Sequence, residues 1–107
     1  MSEEPGEVEV LRALIGLLRA LNDNQAHGRE DATVIIGTAE QRAAGMGRDS
    51  PLYEKVMRRA QEERFLVYDE DSDTAQAHSS ATGDRPVPYK FTHDALEMLR
   101  WADALGM

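Results

Sequence analysis

The stretch from Val8 to Leu21 constrains this chain most, because apolar side chains recur in it around most of a helix. Val8, Leu11, Leu14, Ile15, Leu18 and Leu21 fall on one face at helical spacing. Val10, Ala13, Gly16, Leu17 and Ala20 form a second face of small or apolar groups, leaving Glu9, Arg12 and Arg19 as the only charged residues of the stretch. A helix apolar over that much of its circumference is normally covered on more than one side. The spacing predicts a helix starting near Glu7 and ended by Asn22-Asp23-Asn24.

The chain has 107 residues, enough for one core and too few for two ordinary ones. Hydrophobic residues at 41% and charged residues at 30% describe a globular protein rather than a disordered one. The charges inside Val8 to Leu21 exclude a membrane span there. The first residues, through Glu7, read as a flexible acidic terminus, whereas a secretion signal needs positive charge followed by an apolar run. A cytoplasmic location is the expectation. No cysteine is present, which removes disulfides, thiolate zinc sites and thiol nucleophiles together.

Further along, Asn24 to Asp31 is polar and reads as a loop, and Thr33-Val34-Ile35-Ile36 before Gly37 favours a brief strand. Thr38 with Gln41 forms a T-x-x-Q capping box, which predicts a second helix from Ala39 to about Met46, ending at Gly45 or Gly47. After the turn Gly47-Arg48-Asp49, Ser50 and Pro51 supply an N-cap and a first-turn proline for a third helix. Its inner side is Leu52, Tyr53, Val56, Met57 and Ala60. Phe65 to Tyr68 and Val87 to Phe91 read as two strands of a hairpin, joined by a polar stretch over 69–86 that is predicted to be a mobile tip. Thr92 caps a last helix with Ala95, Met98, Leu99, Ala102 and Leu105 along one side.

The expected class is therefore α+β, mainly helical, in one domain over residues 8–105. Thr38 to Gly47, the turn to Ser50-Pro51, and the run Tyr89-Lys90-Phe91-Thr92 ahead of Asp94 to Leu99 give the chain its likeness to a known group. The order of elements resembles the winged-helix family of helix-turn-helix proteins: a three-helix core, a short strand, a two-stranded wing and a C-terminal helix. The likeness spans roughly residues 8 to 105. It departs from the family where a glycine often follows the third helix, since Glu62-Glu63-Arg64 stands there, and at the wing, which begins Asp69-Glu70-Asp71-Ser72-Asp73.

The resemblance implies a regulator that binds DNA without chemistry, with the third helix in the major groove. Arg48, Ser50, Lys55, Arg58, Arg59 and Gln61 are then the residues to contact nucleic acid. Half of all Lys and Arg, six of twelve, fall between Arg42 and Arg64, which matters because a net charge of −8 repels a polyanion except at a local basic patch. The same charges also read as self-neutralising exposed pairs, since Glu54, Arg58 and Glu62 are spaced four apart and so are Arg59 and Glu63. The alternative function is a winged-helix protein-interaction module that does not bind DNA.

No catalytic or metal site can be read. Asp69, Asp71 and Asp73 alternate like calcium ligands, but Thr74 and Ser80 stand where such a loop needs glycine and glutamate. His27, His78 and His93 are scattered, and Ser72, Ser79 and Ser80 lack a base partner. The expectation is a protein without enzymatic activity, cofactor or metal. The apolar excess of the first and last helices predicts a homodimer, through Val10, Ala13, Gly16, Leu17 and Trp101.

Overall fold

A computed structural model describes residues 6–47, 50–69 and 88–106. Over these the chain is α+β and mainly helical, with four α-helices and one small antiparallel sheet. Helix α1 spans Glu7–Leu21, so Glu7 belongs to the helix rather than to the acidic terminus. It has the central position its composition demands. Leu14, Leu17, Leu18 and Leu21 are almost wholly removed from water, and Ala13 and Ile15 are buried beside them.

The α-helix ends at Leu21 with Asn22 as its C-cap, as the sequence predicts, but no loop follows at once. The chain widens into a π-helical turn, Asn22–Ala26, and stops at His27 and Gly28, both in the left-handed region at φ 51° and 77°. Asn22 serves the ending from a distance, since its side-chain oxygen accepts from the Gly28 N–H at 2.7 Å. The wider turn places Gln25 against strand β1, Ala32–Ile35. Gln25 Oε1 accepts from the Ile35 N–H at 2.8 Å, and its Nε2 donates to the Ile35 carbonyl at 2.6 Å and to Glu40 Oε1 at 2.7 Å. One carboxamide thus takes both backbone groups of Ile35, as a neighbouring strand would, and ties them to α2.

Helix α2 spans Thr38–Ala43. Its N-cap is Gly37, and Thr38 is already helical with no side-chain cap, so the predicted capping box does not form. The cap position has moved back one residue to Gly37, beside which the Glu40 carboxylate lies while it accepts from Gln25, and Gln41 is buried. Its last residue, Ala43, comes three before the predicted limit at Met46, and the chain turns at Gly45, φ 72°, one of the two glycines expected to end it. Helix α3, Pro51–Glu62, starts as predicted: Ser50 Oγ accepts from the Tyr53 N–H at 3.1 Å, with Pro51 at the first helical position.

Strands β2, Leu66–Tyr68, and β3, Pro88–Phe91, complete the sheet in the order β1-β3-β2. Phe91 lies opposite Ala32 on one side and Leu66 on the other, which fixes the register of all three strands. Val34, Leu66 and Phe91 are fully buried and close the core against α1 and α3. No glycine stands at the entry to β2, and Arg64 adopts the left-handed conformation itself, at φ 59°. Helix α4, His93–Ala104, is capped by Thr92, whose hydroxyl accepts from the Ala95 N–H and donates to the Arg64 and Phe65 carbonyls. One threonine therefore joins the start of α4 to the entry of β2. Leu105, expected on the inner side of α4, is exposed beyond its end.

The face assigned to a subunit contact is corrected by this packing. Ala13 and Leu17 lie in the interior of a single chain, and a Cβ on Gly16 would stand 3.3 Å from the Ala44 Cα at the end of α2. The glycine admits α2, not a second copy. Residues 70–87, which hold the tip predicted to be mobile, lie outside the described residues; Asp69 is inside them, buried, and accepts from the Thr33 hydroxyl at 2.9 Å. Among the described residues no helix is long and apolar enough to cross a membrane.

Candidate nucleic-acid interface

Burial of Val56, Met57 and Ala60, with Leu52 and Tyr53 half-buried, fixes which residues α3 presents outward. Arg58 lies on the outer side, exposed, between the equally exposed Glu54 and Glu62. Lys55 and Arg59 flank it toward α1, Lys55 half-buried and Arg59 exposed. Among the described residues no ion pair holds Arg58, whereas Arg59 approaches Glu63 at 3.6 Å. Such an exposed pair contributes at most about 0.5 kcal/mol, so water, phosphate or another anion can replace it.

The remaining residues expected to contact nucleic acid have other engagements. Ser50 is committed to the helix start, since its hydroxyl also donates to the Gly47 carbonyl at 2.9 Å. Arg48 lies outside the described residues. Gln61 hydrogen-bonds the Tyr89 hydroxyl on β3, which turns it toward the sheet. Burial, reinforced by the neighbouring Tyr53 and Tyr68, still holds the Tyr89 hydroxyl above its ordinary pKa despite that hydrogen bond. Tyr68 meets Tyr89 edge to face, with ring centroids 6.4 Å apart. This side of α3 is therefore an aromatic seam with the sheet rather than a polar reading surface.

The charge balance of α3 and the turn after it is nearly even. Lys55, Arg58, Arg59 and Arg64 stand against Glu54, Glu62 and Glu63, four cations to three carboxylates. The excess is one positive charge.

Periodicity did not disclose a groove between the start of α1 and α3. It has a volume of about 410 Å³ and is lined by Val8, Val10 and Leu11 on one side and Lys55, Arg58, Arg59 and Glu62 on the other, with Glu7 at its mouth. Val10, expected at a subunit contact, is one of its walls. Trp101, assigned the same role, is half-exposed on α4. A signal for the groove existed in Val8, an apolar residue in the first turn of a helix, but which element it faces depends on how α3 crosses α1.

Among the described residues no cluster of His, Asp or Glu is placed to hold a metal ion. Comparison with protein families, with curated proteins and with solved structures finds no match to this chain.

Proposed function

We propose that the chain is a winged-helix protein that binds double-stranded DNA through α3 and regulates transcription by occupying its site. The observation that carries this reading is α3 itself. A short helix, a left-handed turn at Gly45 and a Ser50-capped second helix set Arg58 outward, with no ion pair among the described residues, beside Lys55 and Arg59. The antiparallel pairing of β2, which follows directly on α3, with β3 supports it, since a wing is such a strand pair. Ser50 and Gln61 serve as positioning residues in this reading, and phosphate contact falls to Lys55, Arg58 and Arg59.

The test is selection from a random duplex library at low ionic strength. The expected result is an enriched site whose binding weakens with salt and with Arg58→Ala. No enriched site and no salt-sensitive binding would overturn the reading. A second reading, a protein-interaction module of the same shape, is favoured by one specific observation: the near-even charge of α3 on a chain of net charge −8. It predicts a stable protein partner recovered from native cells and no binding to any duplex.

A further inference from the structure

We draw no further inference here: the strongest candidate, the outer edge of β2 with its cleft lined by Gln61, Arg64, Leu66, Val67 and Tyr68, is only three residues long, and nothing in the structure shows what covers it.

Discussion

Replacing Gln25 by alanine tests the least foreseen joint of the fold. Its carboxamide makes three hydrogen bonds, two with the backbone of Ile35 and one to the Glu40 carboxylate, at 2.6 to 2.8 Å. A neutral hydrogen bond contributes about 1 kcal/mol net and one to a charged group about 1.5 to 3 kcal/mol. Glu40 is only 7% exposed, so its carboxylate would lose a donor that water cannot readily replace, whereas the Ile35 groups at the sheet edge regain some hydration. The expected loss is about 3 to 5 kcal/mol, a large part of the roughly 5 to 15 kcal/mol that holds a domain of this size. The helix preference of alanine over glutamine returns only a few tenths of that, about 0.5 kcal/mol. Urea unfolding followed by far-ultraviolet circular dichroism measures the difference. The double variant Gln25→Leu with Glu40→Leu removes both partners and should cost less than the sum of the single changes. A Gln25→Ala protein within about 0.5 kcal/mol of wild type would refute the claim that this side chain joins α1, β1 and α2.

Leu17→Ala should cost about 2 to 5 kcal/mol, and Leu17→Glu should unfold the chain rather than yield a folded monomer, because no part of this side chain reaches solvent; a folded Leu17→Glu protein by circular dichroism would contradict the packing. Arg64→Gly should stabilise by about 0.5 to 1 kcal/mol, since a left-handed residue loses its Cβ penalty, and a fall in thermal midpoint would show that the arginine side chain outweighs it. His93 is held above the ordinary imidazole value of 6.5 by its hydrogen bond with Glu30, then by the charges of Glu30, Glu97 and Asp94. The small stabilisation from this exposed pair is fully present below 6.5 and is lost as pH rises through the folded value. An NMR titration of His93 checks it, with Glu30→Gln expected to lower the midpoint.

Helical and strand periods in the sequence located the four α-helices and the three strands that the structure describes, because those periods reflect which side of each element is buried. Ser50 and Thr92 were legible as caps for the same local reason: a hydroxyl three residues before a free amide needs no tertiary partner. What escaped depends on contacts distant in sequence. Asn22 to Ala26 has the composition of a loop, and its π-helical path follows from Gln25 reaching Ile35, ten residues on. Thr38 and Gln41 match a capping box, yet the cap stands at Gly37, beside the Glu40 carboxylate that Gln25 holds, and Gln41 is buried. The second apolar face of α1 was read correctly as covered, but its cover is α2 at Ala44 rather than a second copy. On α3 the outward position of Arg58 follows from the sequence, while the loss of Gln61 to Tyr89 follows from the place of β3.

The central claim is that α3 meets the phosphates of duplex DNA. Its most direct test is the salt dependence of the equilibrium constant, measured by fluorescence anisotropy on the selected duplex for wild type and for Arg58→Ala. Each phosphate neutralised contributes about 0.9 to the slope of log affinity against log salt. With Lys55, Arg58 and Arg59 in contact, the wild-type slope is expected at roughly −3 for one copy, and Arg58→Ala should weaken binding and reduce the slope by about 1. A slope near zero, or an Arg58→Ala protein with wild-type affinity and slope, would contradict the account.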